Sequence, residues 1–163
     1  MSKSHLPWWR GERGEWYAAL QLALILLVVF GPSTLAGYPK WPVFTTCFRI
    51  SGASLMVCGV VLGAAALRRL RPSITASGAL KPEGALVTSG PYRFVRHPVY
   101  TAQMLLTFGW SLALGGWLTS LYAIALIVIL NFKSLKEERR LLQRFPEYRD
   151  YQSRTRKFVP FIY

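Results

Sequence analysis

The sequence predicts an all-α integral membrane protein with about four transmembrane helices. Of its 163 residues, 52% are hydrophobic and only 17% are charged. The hydrophobic residues form four blocks, and the positive charges collect between and after them. A bilayer core of about 30 Å requires a helix of roughly 17–25 predominantly apolar residues. Because the length suits one domain, we expect a single membrane domain over residues 1–163, with a two-helix half at 1–70 and a second half at 71–163.

The first apolar block extends from Ala18 to Phe30 and contains one polar residue, Gln21. One interpretation is a cleavable signal peptide, because small residues follow the block at 34–36. We favour a retained helix instead, since aromatic residues typical of a membrane interface precede or open the block: Trp8, Trp9, Trp16 and Tyr17.

The second block extends from Val43 to Leu67 and includes Gly59 and Gly63. Small residues four apart let membrane helices approach closely, so this pair predicts tight packing against a neighbouring helix. The loop that follows, up to Arg96, is expected to be ordered because it contains the apolar anchors Leu80, Leu86 and Val87.

The third and fourth blocks carry no charge and extend over Pro98–Leu114 and Trp117–Phe132. Only Gly115 and Gly116 separate them, which predicts a tight turn and a hairpin of helices three and four. Apolar residues then recur at helical spacing and predict a cytosolic C-terminal amphipathic helix, with these residues facing the protein: Leu135, Leu141, Leu142 and Phe145.

The net charge of +13 is distributed as a membrane topology would require. Eighteen of the 20 Lys and Arg residues lie before helix one, between helices two and three, or after helix four. Only Lys40 and Arg49 belong to the opposite side. The positive-inside rule therefore predicts that both termini are cytoplasmic, and the distribution favours the bilayer over nucleic acid as the partner.

Two motifs could carry chemistry. The first, GPYRFVRHPVY at Gly90–Tyr100, places Arg96 and His97 before Pro98, and proline favours the first position of a helix. Cations and free N–H groups at a helix start can receive a carboxylate or a phosphate of a ligand. The alternative is that Arg93 and Arg96 only anchor the helix to lipid phosphates.

The second motif is the pair Glu137 and Glu138, near the apolar side of the C-terminal helix. Carboxylates there are expected to pair with Arg93, Arg96 or a ligand cation, unless they form a solvated ladder with neighbouring arginines. Cys47 and Cys58 lie eleven residues apart on one predicted helix, too far for a disulfide, and no metal-ligand spacing is present in the sequence.

Together the two motifs resemble the isoprenylcysteine carboxyl methyltransferase family and the related phospholipid methyltransferases. LVTSGPYRFVRHPVY is followed about forty residues later by EERRLLQRFPEYRDYQSRTRKFVP, and the resemblance covers about half of the chain, Leu80 to Pro160. The chain departs from the family pattern at Ala102 and at Pro146, where the family commonly has glycine.

The resemblance implies S-adenosylmethionine as the cofactor, held at the cytosolic face by the second half of the chain. Two segments would bind it: Tyr92, Arg96, His97 and Tyr100 from the first motif, and Glu137 and Glu138 from the second. Arg96 and Glu138 are the candidate catalytic residues, Arg96 (or Arg93) steering an anionic acceptor and Glu138 serving as base for an amine.

The resemblance also implies a lipophilic acceptor that enters sideways from the membrane. A prenylcysteine-like carboxylate, a phospholipid amine and a small hydrophobic metabolite all stay open, as does the oligomeric state. A sterol-reductase-like enzyme using NADPH is an alternative, since such enzymes also carry Arg-His-Pro-x-Tyr and end like Pro160–Tyr163. A non-catalytic scaffold that binds anionic lipid is another.

Overall fold

The computed structural model describes residues 15–36, 46–73, 84–160 and 162, and the regular elements within these ranges are helices, with no named strand. Within these ranges five α-helices follow one another: α1 (Glu15–Phe30), α2 (Thr46–Leu70), α3 (Pro98–Leu114), α4 (Trp117–Arg144) and α5 (Tyr148–Arg154). Short 3₁₀ turns at Arg71–Ser73 and Gly90–Arg93 flank the loop before α3. Trp8, Trp9, Leu80 and the predicted start of helix two at 43–45 lie outside the described residues.

Helix α2 packs against α3 through small residues, as the glycine spacing predicts. A methyl group at Gly59 would lie 2.9 Å from the carbonyl oxygen of Ala102, and one at Gly52 would lie 2.5 Å from that of Gly109. A methyl group at Gly63 would lie at a looser 3.3 Å from the Ala102 methyl carbon. Gly63 therefore provides space for the Ala102 side chain.

The other contacts arrange α1 to α4 as an antiparallel bundle. Gly115 ends α3 in the left-handed conformation (φ 68°), and α4 begins two residues later, which confirms the predicted hairpin. Ser33, just after α1, accepts a hydrogen bond from the Leu118 amide at this end of the bundle. Helix α1 packs on α4 and to a smaller extent on α3, α4 packs on α3 and α3 on α2, whereas α1 and α2 have at most a marginal contact along the described residues.

Among the described residues, two helices are long and apolar enough to cross a membrane: α2 together with the turn after it, and α4. At about 1.5 Å per residue, the 16 residues of α1 and the 17 of α3 extend less than the bilayer core of about 30 Å. The count of four spans therefore stays a prediction. The first predicted block begins earlier than expected, at Glu15, and the second ends later, at Leu70.

The amphipathic segment after the fourth block is not a separate helix, because α4 continues through it to Arg144. Its buried face agrees with the prediction in part. Leu141 and Phe145 are half-buried, and Glu138 is buried near the predicted protein-facing side. Leu135 and Leu142 are exposed (41% and 38%) instead, because the buried positions spaced by four are Leu130, Ser134 and Glu138, two of which are polar.

We expect Gly59→Ala to destabilise the protein by about 1–3 kcal/mol, because the added methyl group would overpack the α2–α3 contact. Helix propensity alone predicts the opposite, a gain of about 1 kcal/mol. Thermal unfolding in detergent measures the difference, with Cys58→Ala at the exposed neighbouring position as the control. An unfolding midpoint for Gly59→Ala at or above that of the unmodified protein would contradict this packing.

Candidate functional site

The start of α3 is paired with the C-terminal tail by backbone hydrogen bonds. The amides of Arg96 and His97 donate to the carbonyl oxygens of Arg156 (2.7 Å) and Lys157 (3.1 Å). The Arg156 amide donates back to Phe94 at 3.4 Å, so that Val95 and Arg156 form an isolated parallel bridge. The tail therefore lies alongside the first motif, a contact that no sequence pattern indicated.

Glu138 is the centre of a buried polar cluster. One carboxylate oxygen, Oε1, accepts hydrogen bonds from Arg96 Nε (2.8 Å) and from His97 Nε2 (3.1 Å). The other oxygen, Oε2, accepts from Gln152 Nε2 at 3.2 Å. His97 is the donor, because an ionised carboxylate can only accept. Only 8% of the Glu138 side chain is exposed, so these three donors compensate a carboxylate that is largely removed from water.

Arg96 connects this cluster to the tail. Its Nη1 donates to the carbonyl oxygens of Thr155 (2.6 Å) and Gln152 (3.3 Å), while its Nε pairs with Glu138. A planar guanidinium suits such a site because its donors diverge in fixed directions. Arg96 thereby holds the end of α5 against α4 and the start of α3.

Lys157 provides a second anchor for the tail. Its ammonium donates to the Asn131 side chain on α4, and the residue is buried. Burial lowers the pKa of Lys157, while the nearby charge of Glu138 acts to raise it.

The Glu137 side chain lies outside the Glu138 cluster and contacts Tyr100 instead. Its Oε2 accepts a hydrogen bond from the Tyr100 hydroxyl at 2.9 Å and lies 3.9 Å from His97 Nδ1. The His97 and Tyr100 rings stack with their centroids 5.4 Å apart and their planes 7° apart. With 45% of its side chain exposed, Glu137 is available to a ligand in a way that Glu138 is not.

A cavity of about 340 Å³ lies between these polar side chains and the side chains that α1 and α2 contribute. Its volume falls in the range of about 300–1,000 Å³ that small-molecule and cofactor sites occupy. Five of the six predicted cofactor-binding residues line it: Tyr92, Arg96, His97, Tyr100 and Glu137. Apolar side chains from α2 and from the preceding loop line another part of the wall: Leu67, Leu70, Ala85, Leu86 and Val87.

Tyr148 also lines this wall, although it is not among the site residues that the two motifs predict. It is 1% exposed, and its hydroxyl has no hydrogen-bond partner among the described residues. A buried hydroxyl without a partner is costly, and here it belongs to a residue that lines a cavity. Its neighbour Tyr151 donates from its hydroxyl to the Tyr92 carbonyl at 2.6 Å and orders the same wall.

The tyrosines of this wall are neutral hydrogen-bond donors. Burial raises the pKa of Tyr151 to about 12, against the opposing influence of Arg96. Burial, and then the charge of Glu138, also raise the pKa of Tyr148, and burial, and then the charge of Glu137, raise the pKa of Tyr92. Each hydroxyl therefore keeps its proton at neutral pH.

Glu138 lines a second, more open cavity of about 400 Å³ on the other side of Arg96, which lines both. Arg93 joins neither cavity and is exposed, beside Arg154 and Arg156 at a third hollow. Of the two arginines proposed to pair with the glutamates, Arg96 alone does so among the described residues. The described residues also contain no group of three or more His, Cys, Asp or Glu side chains that could hold a metal ion.

The fold is that of a membrane-embedded methyltransferase. The structure is similar to that of the eukaryotic intramembrane Ras methyltransferase ICMT (isoprenylcysteine carboxyl methyltransferase), with a TM-score of 0.63 and 19% sequence identity over 99% of this chain and 55% of that one. The profile of the phospholipid methyltransferase family matches residues 47–148. The chain belongs to this family, as the resemblance of the two motifs indicated.

Two curated relatives carry names from metal resistance. The cobalt-zinc-cadmium resistance protein CzcN of Cupriavidus metallidurans is 31% identical over 157 residues, which are 93% of this chain and 64% of that protein. The nickel-cobalt-cadmium resistance protein NccN of Alcaligenes xylosoxydans xylosoxydans is 30% identical over 157 residues, 93% of this chain and 65% of that protein. The chain thus spans slightly less than two thirds of the length of these relatives.

We expect Glu138→Gln to lower the free energy of unfolding by about 3 kcal/mol, because it leaves the largely buried Arg96 without its counter-ion. Glu137→Gln, one residue away with a half-exposed side chain, should change it by less than about 1 kcal/mol. Thermal unfolding of the two variants in detergent makes the comparison. Equal losses of stability would show that Glu138 is not the centre of the cluster.

Proposed function

We propose that the chain transfers a methyl group from S-adenosylmethionine to a lipophilic acceptor, and that the 340 Å³ cavity is the site. The observation that supports this most strongly is that one cavity collects residues from both sequence motifs. Membership of a methyltransferase family gives the reaction class. The arrangement also supports one domain in which residues 71–163 supply most of the cofactor contacts, although Gln21, Leu67 and Leu70 of the first half line the cavity as well.

The chemistry of the cavity suits this cofactor. Bound there, S-adenosylmethionine would supply an activated methyl group on a positively charged sulfonium. Glu137 offers a carboxylate to cationic groups or ribose hydroxyls, and Tyr148 offers a hydroxyl that lacks a partner among the described residues. Tyr92 and Phe145 give aromatic surface for a purine ring.

The residues of the site would act mainly by positioning. His97 and Tyr100 hold Glu137 in place through a ring stack and a hydrogen bond. Apolar side chains around them exclude water from the reacting groups. Because the donor is already activated, alignment of the acceptor for in-line attack supplies much of the rate enhancement.

Arg96 and Glu138 take different roles in this proposal from those that the resemblance implied. Arg96 lines the cavity, but its Nε and Nη1 atoms are engaged by Glu138 and by the tail. Glu138 is enclosed by three donors and lies toward the second cavity. We infer that Glu138 is a positioning residue, which fixes Arg96 and His97, and that Glu137 is the carboxylate in contact with the cofactor.

The acceptor would enter from the membrane between α1 and α2. Along the described residues these helices have at most a marginal contact, and they contribute Gln21 on one side and Leu67 and Leu70 on the other side of the cavity. Leu67 is 50% exposed while it also lines the cavity. With both termini in the cytoplasm, as the charge distribution favours, this entrance lies at the cytosolic face of an integral membrane protein.

Calorimetric titration of the purified protein in detergent tests the proposal. S-adenosylmethionine and S-adenosylhomocysteine should bind, and NADPH should not. Glu137→Gln and Tyr148→Phe should each weaken binding about tenfold, the value of roughly one hydrogen bond to a charged or buried group.

Tyr122→Phe is the control, because Tyr122 lies on α4 but does not line the cavity. Its affinity should equal that of the unmodified protein. Binding of NADPH alone would favour the reductase alternative, and binding of none of the three ligands would favour the scaffold; either result contradicts the proposal.

A further inference from the structure

Three arginines surround a hollow of about 230 Å³ at the surface, which shares no lining residue with the 340 Å³ cavity. Arg93 belongs to the turn before α3, whereas Arg154 ends α5 and Arg156 follows it in the tail. The other residues that line the hollow are Phe94, Ser153 and Pro160. All three arginines are exposed, and their guanidinium groups have no hydrogen bond or ion pair among the described residues.

The backbone brings the three arginines to one place. Thr155, between Arg154 and Arg156, is buried and has an extended conformation (φ −123°, ψ 157°). Successive residues of an extended chain point to opposite sides, so Arg154 and Arg156 share the exposed side. The Arg156 amide donates to the Phe94 carbonyl at 3.4 Å, and this contact places the tail beside Arg93.

The positive charge of the hollow is not compensated by its own lining. The two larger cavities each include a glutamate, Glu137 in one and Glu138 in the other. The described residues that line the hollow include no Asp and no Glu. Neighbouring guanidinium groups repel one another, and each can donate two parallel hydrogen bonds to a phosphate or a carboxylate. The hollow therefore suits an anion with several oxygen atoms.

The contacts of the tail place the hollow at the boundary of the membrane. The apolar block of α4 ends at Phe132. Lys157 donates to the Asn131 side chain, one residue before that end. Because Arg156 precedes Lys157 directly, its side chain starts at the level where lipid headgroups surround α4. The charge distribution assigns this boundary to the cytosolic side, where anionic headgroups attract arginine and lysine.

Exposed apolar side chains accompany the arginines on this part of the surface. Phe94 lines the hollow and is 54% exposed, and in the tail Val159 and Ile162 are 43% and 80% exposed. Ile162 and Arg156 also line the second cavity together. Apolar and basic side chains side by side are typical of a surface that lies in the membrane interface. A free anion would gain nothing from the apolar side chains, whereas a lipid would contact them with its acyl chains.

We propose that Arg93, Arg154 and Arg156 bind the phosphate group of an anionic phospholipid of the cytosolic leaflet. The guanidinium groups would donate to the phosphate oxygens, and the acyl chains would lie along Phe94 toward the bilayer. The site needs neither a methyl donor nor an acceptor, so it is independent of the proposed function. It also separates the two arginines of the first motif, because Arg96 is engaged by the Glu138 cluster.

A phosphate in the hollow would connect two segments of the chain. Arg93 lies before α3, and the other two arginines lie at the end of α5 and after it. The same two segments are joined by the hydrogen bond from the Arg96 amide to the Arg156 carbonyl at 2.7 Å. A ligand that binds only the folded state stabilises it. The lipid would therefore stabilise the protein and reinforce the contact that holds Arg96 in place.

Three probes distinguish an anionic lipid from a neutral lipid and from a free anion: dioctanoyl phosphatidylglycerol, dioctanoyl phosphatidylcholine and inorganic phosphate. Calorimetric titration of the purified protein in a neutral detergent measures the affinity of each. Phosphatidylglycerol should bind about tenfold or more tightly than the other two probes. It should also raise the thermal unfolding midpoint by about 2–4 °C.

The double variant Arg93→Gln with Arg154→Gln should bind phosphatidylglycerol about tenfold or more weakly, because it removes two charged donors. Arg93→Lys with Arg154→Lys should retain part of the affinity, since an ammonium keeps the charge but lacks the planar fork. Without lipid, both double variants should unfold at the temperature of the unmodified protein, because the replaced side chains are exposed and have no partner among the described residues.

Arg139→Gln with Arg149→Gln is the matched control. It removes the same charge from two exposed positions that do not line the hollow, and it should keep the full affinity for phosphatidylglycerol. The inference would be overturned by equal affinities for the two lipids or for phosphatidylglycerol and inorganic phosphate, or by binding of none of the probes. Full affinity in Arg93→Gln with Arg154→Gln, or an equal loss in the control, would also overturn it. None of these measurements involves S-adenosylmethionine, so their outcome is separate from that of the proposed function.

Discussion

The structure depends on the hydrogen bonds that three donors make to the Glu138 carboxylate. A carboxylate so far removed from water is stable only when it is fully compensated. Arg96 and His97 come from the residues just before α3, Gln152 comes from α5, and Glu138 itself belongs to α4. One side chain therefore fixes the relative positions of three segments that are far apart in the sequence. Helix α5 then completes the wall of the cavity with Tyr148 and Tyr151.

This constraint explains why the two glutamates diverge in role. Successive residues of a helix point about 100° apart, so Glu137 and Glu138 cannot face the same partner. Glu138 turns into the cluster, and Glu137 turns toward Tyr100 and the cavity. Below them, Lys133 and two glutamines reverse the sign of the charge. The cavity thus carries a carboxylate at one level and an ammonium one turn of α4 away.

Sequence patterns predicted the helices well where the conformational preference or small size of one residue determines a helix boundary or a close helix contact. Pro98 does begin α3, Gly115 does end it, and Gly59 does face α3. On the C-terminal segment they were right for Glu138, which is buried near the predicted protein-facing side, and wrong for Leu135 and Leu142, which are exposed while Ser134 is buried. Hydrophobic periodicity cannot detect a face buried through hydrogen bonds. The pairing of the tail with residues 94–97, the hydroxyl of Tyr148 and the hydrogen-bonded chain of Lys133, Gln21 and Gln103 each require residues distant in the sequence to meet, which no local pattern encodes.

Photochemical cross-linking of methyl-tritiated S-adenosylmethionine to the protein in membranes tests the central claim most directly. If the 340 Å³ cavity holds the cofactor, tritium should appear in peptides that contain Tyr92–Gln103 or Lys133–Tyr151, and excess S-adenosylhomocysteine should suppress the label. NADPH should have no effect on it. Label confined to peptides that do not line the cavity, or label that S-adenosylhomocysteine leaves unchanged, would contradict the account.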